Sequence, residues 1–275
     1  MFTKASRFLC LSSLAAALLL NSCKEESQDT ATSEPETSIP SIGYTYYTAY
    51  PHDTTAFTEG LFVHEGRLFE STGSPQDMPQ TRSLFGIVDL KTGEIDVKGE
   101  IDRNRYFGEG ITILGDKLYQ LTYQTKLGFI YDAKTFKKLG EFVMPGVEGW
   151  GLTTDSTHLI MSEGTHKLYF IDPATMKAVK VVEVRDNMGN VNYLNELEYV
   201  DGYIYANKYG TNLVVKIDPA TGKVVGRVDF TRLAAQAHQV YPGSLEMNGI
   251  AWNPENNRFL VTGKMWPFIF EVTIP

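Results

Sequence analysis

Four segments of the chain close on the same turn. Val88-Asp89-Leu90-Lys91-Thr92-Gly93, Tyr131-Asp132-Ala133-Lys134-Thr135-Phe136, Ile171-Asp172-Pro173-Ala174-Thr175-Met176 and Ile217-Asp218-Pro219-Ala220-Thr221-Gly222 set an apolar residue, an aspartate and a threonine at fixed offsets. Aspartate in that place closes an Asx-type turn, and Gly or Pro sets the backbone angles. A second motif opens each unit, a Gly or an acid followed by an apolar strand: Gly60-Leu61, Gly110-Ile111, Gly151-Leu152, Glu196-Leu197 and Gly249-Ile250. From Leu61 to Ile111, Leu152, Leu197 and Ile250 the successive offsets are 50, 41, 45 and 53 residues. A period of about 45 residues with about four short strands per unit is the signature of propeller blades.

Within the units, Lys117 to Tyr123 and Gly202 to Asn207 alternate apolar and polar residues with period two and are rich in β-formers. Helical patterns are scarce; Phe230 to Ala237 predicts one short helix before Tyr241-Pro242-Gly243. The last unit lacks an outer strand, which Gly43 to Ala49 can supply, joining the chain ends and removing exposed sheet edges. The expected fold is therefore all-β, a five-bladed β-propeller whose last blade is closed by the N-terminal strand. A β-sandwich and a six-bladed ring compete with it, and five opening motifs favour five blades.

The first residues read as a secretion signal. Lys4 and Arg7 precede an apolar run from Phe8 to Leu20 that ends in Leu20-Asn21-Ser22-Cys23, a lipobox-like ending that marks Cys23 for lipidation. Residues 24 to about 41 are rich in Ser, Thr, Glu and Pro and cannot bury enough surface to offset their chain entropy. The expected organisation is a lipoprotein signal over 1–22, a disordered tether over 23–41 from lipidated Cys23, and the propeller over 42–275. Such a chain is an exported, outer-membrane-anchored lipoprotein, periplasmic or on the cell surface, and a monomer. Losing Lys4 and Arg7 leaves 23 basic against 33 acidic side chains, a balance of −10, which argues against nucleic acid as partner. Cys10 leaves with the signal and Cys23 is the anchor, so the mature domain carries neither disulfide nor thiol nucleophile.

In a propeller the inner strands line one central channel, and their beginnings converge from far apart in sequence. The opening motifs place Glu59, Glu109, Glu148 with Trp150, Asn195 with Glu196, and Asn248 at one mouth. Charged and amide side chains gathered there cost desolvation unless they bind something. The segments Tyr50-Pro51-His52-Asp53 with Phe57-Thr58-Glu59-Gly60-Leu61 as one motif, then Phe107-Gly108-Glu109-Gly110-Ile111-Thr112, Gly149-Trp150-Gly151-Leu152-Thr153, Leu194-Asn195-Glu196-Leu197-Glu198-Tyr199 and Val261-Thr262-Gly263-Lys264-Met265-Trp266-Pro267 resemble, in order and one per blade, the plant- and bacterial-type glutamine cyclotransferases.

That resemblance implies an enzyme acting on peptides and proteins with an N-terminal glutamine, whose α-amine attacks its own side-chain carboxamide to give pyroglutamate and ammonia. It assigns Glu109 the part of general acid and base, a role that asks for a raised pKa. From the residues alone, Glu109 reads as a carboxylate capping strand backbone groups. The resemblance likewise makes Asn195 the amide that orients the substrate. It makes Lys264 a channel cation that polarises a carbonyl or holds the charge of Glu109, and Phe57 and Trp150 aromatic walls. Three positions depart from the pattern: Glu59 stands where glutamine is usual, and Tyr123 and Tyr209 stand where tryptophan is usual. Glu59 adds a charge suited to the substrate ammonium, and the tyrosines shorten the aromatic wall.

The five histidines are scattered without paired spacing, so no metal site is expected; the resemblance implies that no catalytic zinc is needed, and a structural calcium held by channel carbonyls stays open. Two alternatives remain: a propeller that binds a peptide or glycan without turnover, and a metal-dependent hydrolase of the lactonase kind.

Overall fold

The computed structural model describes residues 38–275. The signal, Cys23 and most of the tether lie outside the described residues. Ordered pairing begins inside the segment read as tether: Arg227 N donates to Pro40 O (2.9 Å), Ile42 N donates to Arg227 O (2.8 Å), and Ile39 packs on an apolar core.

Five four-stranded antiparallel sheets follow one another along the chain. Their inner strands are Phe57–His64, Gly108–Leu114, Leu152–Thr154, Leu194–Val200 and Met247–Asn253, opening blades 1 to 5. Each inner strand contacts those of the blades before and after it, and the first contacts the last, so the ring closes on five. Five apolar clusters fill the five clefts between neighbouring blades. Each buried large apolar side chain there contributes on the order of 1.5–3 kcal/mol.

The fourth strand of blade 5 is the N-terminal one. Thr45–Pro51 runs antiparallel to Phe268–Thr273, from Thr45 opposite Thr273 to Pro51 opposite Phe268, two residues later than the expected Gly43 to Ala49. His52, just past this strand, is buried against Glu70 at 3.1 Å, and one ring nitrogen lies 2.8 Å from Trp266 O. The helix spans Thr231–Val240, longer at its C-terminal end than the sequence suggested, and buries Leu233, Ala234 and Ala237 between blades 4 and 5.

The repeated turns form as expected. Asp89, Asp132, Asp172 and Asp218 each accept from the backbone N–H two residues on, at 2.8, 3.1, 2.8 and 2.9 Å. Gly93 and Gly222 take the left-handed conformation that closes two of them, and Phe136 and Met176 adopt the same positive φ without glycine.

Blade 4 opens with Glu196 where other blades have glycine, and its carboxylate braces the ring. It accepts from Leu61 N in blade 1 (3.1 Å) and Ile250 N in blade 5 (2.7 Å). Glu198 does the same further along, accepting from Trp252 N at 2.8 Å and Thr153 Oγ1 at 3.3 Å. Burial pushes Glu198 up to about 8, against the pull of these donors. It holds its proton more tightly folded than unfolded, so its contribution to stability is complete below about pH 4.5 and lost as pH rises through 8. Glu198→Gln should therefore lose less Tm than the parent between about pH 5 and about pH 9. Equal losses in thermal melts would mean that the carboxylate ionises without cost.

Candidate active site

The site is built at irregularities in strand pairing. In blade 1, Thr58 pairs with Thr72 and Gly60 with Ser71, leaving Glu59 as an extra residue. In blade 2, Gly108 pairs with Thr122 and Ile111 with Gln120, so Glu109 and Gly110 together oppose Leu121. Asn195 and Glu196 oppose Asn207 in blade 4, and Asn248 and Gly249 oppose Thr262 in blade 5. A β-bulge re-aims the side chain it carries, and here each bulge turns a polar residue toward the axis. The glycines at these places serve close approach. A Cβ on Gly110 would run into the backbone of Trp150, Gly151 and Leu152, and one on Gly151 into that of Asn195 and Glu196.

A cavity of about 290 Å³ opens there, lined by Phe57, Glu59, Glu109, Tyr123, Trp150, Asn195, Tyr209 and Lys264, together with Pro75 and Phe107. Eight of the residues singled out from the sequence meet in it; Glu148, Glu196 and Asn248, expected at the same mouth, are not among its lining residues. Tyr123, Tyr209 and Lys264 hold equivalent places just past the second strands of blades 2, 4 and 5. Their backbone N–H groups donate to Phe107 O, Tyr193 O and Glu246 O.

The aromatic side chains form an arc of mostly edge-on contacts. Phe57 meets Phe107 at 5.9 Å, Phe107 meets Tyr123 at 6.0 Å, Tyr123 meets Trp150 at 6.3 Å, and Trp150 meets Tyr209 at 5.6 Å between ring centroids. Lys264 Nζ closes the arc, 4.5 Å from the centroid of Phe57 and 5.3 Å from that of Tyr209. The Trp150 indole donates to Glu148 Oε2 at 3.0 Å.

Charge at the floor is arranged differently from the expectation. Lys264 Nζ donates to Glu59 Oε1 at 2.7 Å, and Asn248 Nδ2 donates to Glu59 Oε2 at 3.0 Å. Lys264 therefore pairs with Glu59, and Glu59 is a buried partner of that cation with both oxygens engaged. Burial lifts Glu59 to about 7, with Lys264 opposing. Burial pulls Lys264 down, but the carboxylates of Glu59 and Glu109 more than offset this and leave it raised. Glu109 is 4% exposed, and among the described residues nothing donates to its carboxylate. Burial raises it well above the ordinary carboxylate range, the Glu59 charge adds to the rise, and Lys264 opposes it.

Asn195 is buried, and its Oδ1 lacks a partner among the described residues, as do Asn248 Oδ1 and Asn207 Nδ2. No group of three or more His, Cys, Asp or Glu side chains able to hold a metal occurs among the described residues. Two amide oxygens fall short of the six to eight that calcium takes, so these side chains do not by themselves make a calcium site.

Pro75 and Phe107 are lining residues that sequence reasoning did not single out. Phe107 carried a readable signal: Phe57-Thr58-Glu59-Gly60 and Phe107-Gly108-Glu109-Gly110 repeat one pattern in adjacent blades. Pro75 sits in a loop without a repeat partner.

A family model described as glutamine cyclotransferase matches residues 14–274. The chain belongs to the glutamine cyclotransferase family. It is 38% identical over 227 residues to a glutaminyl-peptide cyclotransferase of Arabidopsis thaliana, an alignment covering 82% of this chain and 69% of the plant protein. The crystal structure of the Myxococcus xanthus glutaminyl cyclase superposes with a TM-score of 0.75 at 33% identity, covering 86% of this chain and 98% of the other. The five-bladed architecture and the enzyme class are thus those of the family.

Proposed function

We propose that the cavity closes the N-terminal glutamine of peptides and proteins into pyroglutamate and releases ammonia, with Glu109 moving the proton. The carrying observation is a buried carboxyl without a protein donor, facing the same 290 Å³ space as a buried amide and an ammonium.

The two reacting groups belong to one residue, so the protein gains most by holding the folded-back conformer. The aromatic arc shapes the space around the glutamine side chain. The unpaired Asn195 Oδ1 accepts an N–H of the substrate, and satisfying that buried acceptor recovers about 1–3 kcal/mol otherwise lost. The α-amine nitrogen attacks the side-chain carbonyl carbon, a C–N bond forms, and the carbonyl electron pair moves to oxygen. The Glu109 carboxylate takes the proton released by the attacking nitrogen. It delivers that proton to the amide nitrogen as the old C–N bond breaks and the carbonyl re-forms. Ammonia leaves and Glu109 ends as it began. Lys264 keeps N–H donors beyond the one given to Glu59, and these favour negative charge on the carbonyl oxygen. The reaction calls for no cofactor. We also propose that Cys23 tethers the enzyme to the outer membrane as an exported lipoprotein.

Incubation with a glutamine-leading peptide should yield a product lighter by one ammonia, together with free ammonia. Bound peptide without ammonia would make the site a binding module instead. The rate should fall at acid pH as Glu109 takes up a proton. Glu59→Gln removes a neighbouring negative charge and so lowers the Glu109 pKa, which should move the acid limb of kcat/KM to lower pH. The limb belonging to the substrate amine is unaffected by the change, so an unmoved profile would detach Glu109 from the proton transfer.

A further inference from the structure

Beside the cavity, a second hollow of about 220 Å³ begins between blades 1 and 2, and the two share Pro75, Phe107 and Tyr123 as a common wall. Its charged lining residues are Arg103 and Arg105, and no acid lines it, in a chain whose net charge is −8. Arg103 is committed to the loop beneath, donating to Pro75 O at 2.8 Å and Thr81 O at 3.1 Å. Arg105 has no ion-pair partner among the described residues, and its guanidinium lies 5.1 Å from the Tyr106 ring centroid. Of the acids nearby in the chain, Asp102 accepts from Asn104 at 3.0 Å, and Glu148 accepts from Gln124 at 3.1 Å and from Trp150; Asp77, next to Gln76, is exposed and does not line the hollow.

Cyclisation uses the amine and side chain of the first residue, so the rest of the peptide must leave through the mouth. One extended residue advances about 3.3 Å, so the second and third residues pass over the shared wall. We propose that this hollow receives those residues and that Arg105 makes it favour an acidic side chain there. The proposal rests on the cyclisation reading. It adds a preference that neither the aromatic arc nor the Glu59–Lys264 pair supplies.

The test uses amidated glutamine-leading peptides of one length that carry glutamate, glutamine or lysine at the second or third position. Ammonia release should give a kcat/KM roughly two- to fivefold higher for glutamate than for glutamine, the range of an exposed ion pair. The difference should lie in KM and shrink as salt is raised. Arg105→Gln should level the series, and Arg105→Glu should turn the preference toward lysine. Both changes are at an exposed loop position and should leave Tm in place. Equal kcat/KM across the series, or an unchanged preference in Arg105→Gln, overturns the subsite while ammonia release persists. Absence of ammonia from every peptide instead overturns the cyclisation reading, and the subsite with it.

Discussion

Glu109→Gln should lower kcat by roughly a hundred- to ten-thousand-fold, the usual contribution of a positioned acid–base group, while Tm holds or rises. The reason for the split is local. The carboxyl receives no hydrogen bond from the described residues, and burial together with the Glu59 charge makes its ionised form costly. An isosteric amide removes that cost and keeps the volume. Thermal melts and single-turnover ammonia release on the same preparation separate the two effects. Near-normal turnover would reject the role, and a large drop in Tm would return Glu109 to the purely structural part that its residue type alone suggests.

Lys264→Met should reduce both activity and stability. The substitution leaves the Glu59 carboxyl buried without its cation, which costs about 3 kcal/mol, or roughly 6–12 °C in Tm for a domain of this size. Part of that cost is relieved if Glu59 takes up a proton, which its raised pKa makes easy near neutrality. Glu59→Gln alone keeps one oxygen acceptor for Lys264, turns an amide N–H2 toward Asn248, and should cost less than Lys264→Met because Glu109 remains a counter-charge for the ammonium. Combined with Lys264→Met it should restore more than half of the lost Tm, since no buried charge then remains unpaired. Activity should stay low in the double variant because the ammonium is gone. Additive losses in this cycle would show that the 2.7 Å contact carries no coupling.

The fold was largely legible because its information is local. An opening motif recurs in all five units and an aspartate turn in four of them, and both can be read without knowing what lies across the ring. The membership of the cavity was legible for a related reason: strand beginnings in a closed ring must converge, so a position in the repeat predicts a position in space. Pairing across the ring was not legible. Glu59 and Lys264 are separated by 205 residues, and which carboxyl the ammonium reaches depends on how far each bulge turns its side chain. Lys264 was expected to polarise a carbonyl or to hold the charge of Glu109, and its direct hydrogen bond goes to Glu59. Glu196 was read as part of the mouth, yet its carboxylate is spent on Leu61 N and Ile250 N, because only an acceptor long enough to span two blades can satisfy those donors. The hydrogen bond from Trp150 to Glu148 joins neighbours in sequence but needs the turn between them to be known.

The skipped pairings have a consequence for how such a protein can change. Each carries its reactive group on residues that the neighbouring strand does not count, so the group can be exchanged while the ladder on either side stays in step. The three outer strands of a blade and the apolar seams between blades are indifferent to that exchange. Chemistry in this scaffold is therefore written at four separately editable addresses, and the structural cost of rewriting one of them is confined to the partners across the axis.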